Sequence, residues 1–130
     1  LKKFTISVPP EVAKCSTIKW ILQPLIENAI MHGIEPHPYG GEMEISGWRE
    51  SEDIFICIKD TGVGITKERL NELQALLDKG EPSNMEDTSH IGLMNVNSRI
   101  KLHFGPSYRI FLNSTPLQGT TVTLKLPRRT

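Results

Sequence analysis

The spacing of apolar positions changes several times along the chain, and each change predicts an element. Lys3-Phe4-Thr5-Ile6-Ser7-Val8 alternates and stops at Pro9-Pro10, which predicts a short strand over 3–8. From Ile18 the period becomes helical: Ile18, Ile21 and Leu22, Leu25 and Ile26, then Ala29. Ser16 or Thr17 supplies an N-cap, and Gly33 after His32 is the stop. Pro36, Pro38 and Gly40-Gly41 make a loop. Residues 42–48 and 53–60 read as a hairpin in which Ile54, Ile56 and Ile58 share a face. Asp60 has the same parity and so is expected on the buried side. A helix capped by Thr66 follows over 67–77, then a polar stretch, Gly80 to Ser89, that reads as a mobile loop. Residues 90–103 predict another helix, with Ile91, Met94, Val96, Ile100 and Leu102 as a broad apolar surface ended by Gly105-Pro106. A last hairpin pairs 108–112 with 121–126 around Gln118-Gly119.

Strands that pair in hairpins, with helices to cover one face, give an α+β architecture. The expectation is a two-layer α/β sandwich: a mixed, mostly antiparallel sheet of about five strands under about three helices. At 130 residues this is one domain with a real core, opening on Leu1 within a strand, as a piece cut from a longer protein would.

Composition removes several function classes. The formal net charge is zero, which gives no support to nucleic-acid binding through bulk charge. Cys15 and Cys57 have no metal or redox spacing, and Cys57, inside a strand, is expected as a small core residue. No apolar run is long enough to span a bilayer.

The chemistry lies in four short segments. Asn28 follows Leu25 by three residues, so a carboxylate-amide pair, Glu27-Asn28, sits beside an apolar stripe. Asp60-Thr61-Gly62-Val63-Gly64-Ile65 leads from a strand end into a glycine-spaced turn; Ile91-Gly92-Leu93 and Gly119-Thr120-Thr121 follow. Each has an ordinary reading: a satisfied core amide, a common turn, close packing, a hairpin tip. In this order they suit a nucleoside triphosphate. Magnesium takes few ligands from protein and many from phosphate and water, a role for the Asn28 amide oxygen. Glu27 can order a water or polarise the attacking group. Asp60 can accept from the adenine amino group, Gly62 and Gly64 admit backbone close to the base, Gly92 offers N–H groups to phosphate, and Thr120 adds a hydroxyl.

These segments resemble the ATP-binding catalytic domain of sensor histidine kinases, within the GHKL superfamily. Gln23-Pro24-Leu25-Ile26-Glu27-Asn28-Ala29-Ile30-Met31-His32-Gly33 is similar to the N box, Asp60 to Gly64 to the first glycine box, Ile91 to Ile100 to the second, and Gly119-Thr120-Thr121-Val122 to the closing motif. Leu22-Gln23-Pro24-Leu25 with Asn95-Val96 and Arg99 is most similar to LytS/YesM-type bacterial sensors. The resemblance implies Glu27 as the catalytic residue, Asn28 as the Mg²⁺ ligand, and Asn28, His32, Asp60, Gly62, Gly64, Ile65, Gly92, Leu93 and Thr120 around ATP. It makes residues 66–90 the lid. Met31 departs from a phosphate-contacting lysine, Pro24 from a first asparagine, and His90 from a glycine.

The implied activity is transfer of the ATP γ-phosphoryl group to a histidine on a separate dimerisation helix, for relay to a response-regulator aspartate. The implied setting is the cytoplasmic part of a membrane sensor that is a homodimer when whole, with this piece monomeric. None of His32, His37, His90 and His103 suits the acceptor. Two other readings stand beside it: a serine kinase of the anti-sigma-factor type, and a degenerate nucleotide-binding module that signals without catalysis.

Overall fold

The computed structural model describes residues 3–7, 18–30, 41–79 and 91–127. The side chains of strand β1 and of Ile18, Lys19, Trp20, Leu22, Asn28 and Ile91 are outside that description, as are the expected helix stop at His32-Gly33, the lid segment over 80–90 with His90, and the loop over 36–40.

Within it, β1 (Lys3–Ser7), α1 (Ile18–Ala29), β2 (Glu42–Glu50), β3 (Asp53–Asp60), α2 (Lys67–Lys79), α3 (Ile91–Phe104), β4 (Arg109–Thr115) and β5 (Gly119–Pro127) follow in order. The five strands form one sheet, β1-β2-β3-β5-β4. β1 runs parallel to β2, and the other three pairings are antiparallel. The chain therefore crosses over through α1 before pairing β2, as a parallel neighbour requires.

Alternation decides which face is covered. Met43, Ile45, Ile54, Ile56, Ile58, Ile110, Leu112, Val122, Leu124 and Leu126 turn to the helices and are buried with Leu25, Leu73, Leu77, Leu93 and Ile100. Each such side chain contributes about 1.5–3 kcal/mol of burial. The other face carries Trp48 stacked on Phe55, centroids 5.4 Å apart and 7° from parallel, and Phe111 beneath the Arg109 guanidinium. Cys57 is on this face, half-buried and free, because it is one residue out of phase with Ile56 and Ile58. It is thus not the core residue expected.

Two helix details also differ from expectation. Leu102 is 89% exposed, because it stands about 200° around α3 from Ile100. The inward position goes instead to Asn97, at 1% exposure. Its Nδ2 donates to the Leu77 carbonyl at 2.9 Å, and its Oδ1 accepts from the Ile110 N–H at 2.9 Å. One amide thus joins α3 to the last turn of α2 and to β4. Alongside it, the Leu112 N–H donates to Gln74 Oε1 at 3.2 Å, Lys101 Nζ donates to the Asp78 carbonyl at 2.7 Å, and Arg109 pairs with Asp78. Thr66 caps α2 as expected, accepting from the Arg69 N–H at 3.3 Å.

Asn97→Leu should therefore leave a carbonyl and an N–H buried without partners, at a cost of about 2–4 kcal/mol. Urea unfolding of the variant measures this; a midpoint equal to wild type would show that water replaces the amide.

Candidate functional site

The end of the sheet nearest Asp60 is built by two loops that hold each other. Beyond β3 the chain runs through residues 61–66; across from it, β4 and β5 turn through Pro116, Leu117 and Gln118. The Leu117 N–H donates to the Val63 carbonyl at 2.6 Å, and the Ile65 N–H donates to Ser114 Oγ at 2.8 Å. Thr61 fastens the other side: its N–H donates to the Glu42 carbonyl at 3.1 Å, and its Oγ1 accepts from the Glu42 N–H at 2.9 Å.

Two glycines allow that approach. Gly64 has φ +73°, and a Cβ there would sit 2.2 Å from the Thr115 carbonyl oxygen. Gly119 has φ +130°, and a Cβ there would sit 2.0 Å from the Asp60 carbonyl oxygen. The missing side chain of Gly64 leaves room for the hairpin. Gly119 is more than a hairpin tip for the same reason.

Asp60 is the polar group this end is built around. It is 4% exposed, on the helix-facing side as its parity requires, and its Oδ1 accepts from the Gly62 N–H at 2.8 Å. Burial pushes its carboxyl above the ordinary value, and hydrogen bonds from the Gly62 and Thr120 backbones pull it part of the way back. Register places Asp60 opposite Thr120, and Thr120 opposite Ser114, so one row of polar side chains crosses β3, β5 and β4. Sequence reasoning missed Ser114 because it ended the strand at Leu112. The alternation, had it been carried two residues further, puts Ser114 on the buried face.

The remaining candidates lie on α1 and α3. Glu27 is exposed on α1, and its Oε1 accepts from Gln23 Nε2 one turn back, at 3.3 Å. Gly92 meets Pro24 across the α1–α3 contact, where a Cβ would be 3.8 Å from its nearest neighbours, ordinary packing. Leu93 is fully buried, so only its backbone remains for a ligand. Ile65 is half-buried against the core. Gly62 is buried behind Asp60. His32 and the Asn28 side chain lie outside the described residues. Among those residues no three of His, Cys, Asp and Glu converge.

Gly119→Ala should be strongly destabilising, by about 3 kcal/mol or more, since strain and collision add. Gly92→Ala should keep the thermal midpoint near wild type; any loss of nucleotide affinity then locates ligand beside it. Thermal scans of both variants decide, and equal tolerance would contradict the close approach at Gly119.

The pKa direction at Asp60 fixes another expectation. Because its folded value is raised, ionising the group imposes a stability penalty that is present in full above that value and vanishes as pH falls below the unfolded one. Asp60→Asn should hence be at least as stable as wild type near neutral pH, with an advantage that disappears in acid, while losing nucleotide. Urea midpoints against pH, set beside ATP titrations, test it; an Asn variant less stable than wild type at neutral pH would refute it.

The comparisons agree with this geometry. Residues 14–130 match the family described as histidine kinase-, DNA gyrase B-, and HSP90-like ATPase. Among curated proteins, the sensor protein kinase HptS of Staphylococcus aureus is 31% identical over 118 residues, 90% of this chain and 22% of that protein. The chain thus spans about a fifth of the length of the curated relatives it matches. Among solved structures, the catalytic domain of the histidine kinase ThkA in a nucleotide-free form superposes with a TM-score of 0.71 at 18% identity, covering 97% of this chain and 80% of that one. The blue-light activated histidine kinase EL346 of Erythrobacter litoralis gives a TM-score of 0.63 at 16% identity, covering 98% and 35%. A buried carboxylate beside a glycine-clasped loop, in this fold and with these relatives, identifies the chain as an ATP-binding domain of the histidine kinase-, DNA gyrase B-, and HSP90-like ATPase family, with the fold of a histidine kinase catalytic domain.

Proposed function

We propose that this chain is the single catalytic domain of a longer sensor histidine kinase of the LytS/YesM type, and that it transfers the γ-phosphoryl group of Mg-ATP to a histidine on its own upstream dimerisation region. The observation that carries the reading is the buried Asp60, held on the helix-facing side of the sheet by the Gly62 N–H with lone pairs left to accept. Adenine presents an amino group at the matching edge. Thr120, opposite Asp60, completes that corner. Gly92 at the N-terminal end of α3 offers N–H groups to phosphate, with Gly62, Gly64, Ile65, His32 and the Leu93 backbone around the ligand.

Magnesium, when bound, neutralises charge developing on the transferred group, and Asn28 is the residue that would hold it. Glu27 acts on the acceptor. As the imidazole nitrogen bonds to phosphorus and the bond to ADP oxygen breaks, the other ring nitrogen gives up its proton, and the exposed Glu27 carboxylate takes it. The Gln23 amide occupies Oε1 and orients the group. The phosphoryl group then passes to an aspartate of a response regulator. In the whole protein, a homodimer at a membrane, this domain faces the cytoplasm. No described helix is long and apolar enough to cross a bilayer.

The test uses radiolabelled ATP, this chain, and the separately expressed upstream region. Alone the chain should bind ATP without labelling itself. Together the two should give slow transfer in trans, because the linker's effective concentration is lost. The product should be acid-labile and base-stable. Glu27→Gln should lower transfer by about 10²–10⁴-fold while changing ATP affinity little. Strong labelling of the isolated chain, or an acid-stable product, would overturn the proposal.

A further inference from the structure

The Ser114 hydroxyl has no bonding capacity left. Its oxygen accepts from the Ile65 N–H at 2.8 Å. Its proton goes to the Gly119 carbonyl at 2.7 Å, an oxygen that only accepts. A third contact joins it to Thr120 Oγ1 at 2.9 Å, where distance alone leaves the donor open. A serine hydroxyl has one proton and two lone pairs. With the proton given to Gly119 and one lone pair taken by Ile65, the remaining lone pair is all it can offer Thr120. Thr120 must therefore be the donor.

A threonine hydroxyl also has a single proton. Once that proton is given to Ser114, Thr120 presents only lone pairs to anything on the helix-facing side. Its neighbour in the row, Asp60, presents lone pairs as well. We propose that Ser114 is a specificity-determining residue: by taking the Thr120 proton it makes the base-reading corner acceptor-only, so that the corner selects a purine with an amino group at the six-position and rejects one with a carbonyl there. This rests on the reading of Asp60 and Thr120 as that corner. Ser114 itself is a positioning residue, since it acts through Thr120.

Without Ser114 the Thr120 proton is free to turn toward the ligand. A six-carbonyl, which meets only lone pairs in the wild type, then finds one donor. Leaving a buried polar group opposite a like group is what makes such sites discriminate. Ser114→Ala should therefore improve inosine triphosphate relative to ATP.

Calorimetric titration of the protein with ATP and with inosine triphosphate, both with magnesium, reads the ratio of the two affinities. Wild type should prefer ATP. In Ser114→Ala the preference should fall by about two- to tenfold, the worth of one neutral hydrogen bond. Ser114→Thr, which restores the hydroxyl, should recover it. A purely structural role would weaken both nucleotides equally, because losing the ties to Ile65 and Gly119 loosens the loop for either ligand. An unchanged ratio in Ser114→Ala would overturn the proposal, whatever happened to overall affinity. If the alanine variant does not fold, Ser114→Cys keeps the volume with only weak hydrogen bonding and should shift the ratio the same way; no shift would be equally fatal. A wild type that binds both nucleotides alike would instead defeat the base-corner reading itself.

Discussion

The arrangement depends on how closely two pieces of backbone can lie. The loop after β3 and the tip of the β4–β5 hairpin touch carbonyl to glycine at two places, with no room for a β-carbon at either. From that contact come the Leu117 to Val63 bond, the seat of Ser114 under Ile65, and the row that sets Asp60 beside Thr120. The hydrophobic sandwich supplies most of the burial. It does not by itself determine where a carboxylate at a strand end will sit. The glycine contacts do, by tying both ends of the row to one hairpin.

That row is costly to keep. A carboxylate at 4% exposure with its acid strength weakened by burial is not what stability alone would select. The fold tolerates it because two backbone groups hold the charge and because it stands at the sheet's rim, with apolar rows behind it. Asn97 is the contrasting case. It is just as buried, but both halves of its amide are spent within the protein, which makes it a joint and not a site.

Much of the fold was legible in the sequence because alternation and helical spacing are local. The β3 isoleucines fixed the buried face and carried Asp60 with them. Strand ends were less legible. Asn113-Ser114 has turn composition, so β4 appeared to stop at Leu112, whereas pairing with β5 extends it to Thr115. Pairing is non-local and leaves no period to read. Asn97 escaped for a related reason: its partners, Leu77 and Ile110, come from two other elements. The motif glycines were legible as a set, but what each one approaches was not. Gly64 and Gly119 answer to backbone across the loop, while Gly92 has ordinary clearance.

The side-chain amides on β4 have a consequence beyond packing. β4 ends the sheet, and an end strand normally offers its outward N–H groups to any extended chain that drifts past. Here the N–H groups of Ile110 and Leu112 are already engaged by Asn97 and Gln74. A stray strand, whether from another copy or from an unfolded neighbour, would have to evict both amides to pair along Ile110–Leu112. That stretch of the margin is closed to growth, which works against crowded domains zipping edge to edge through β4.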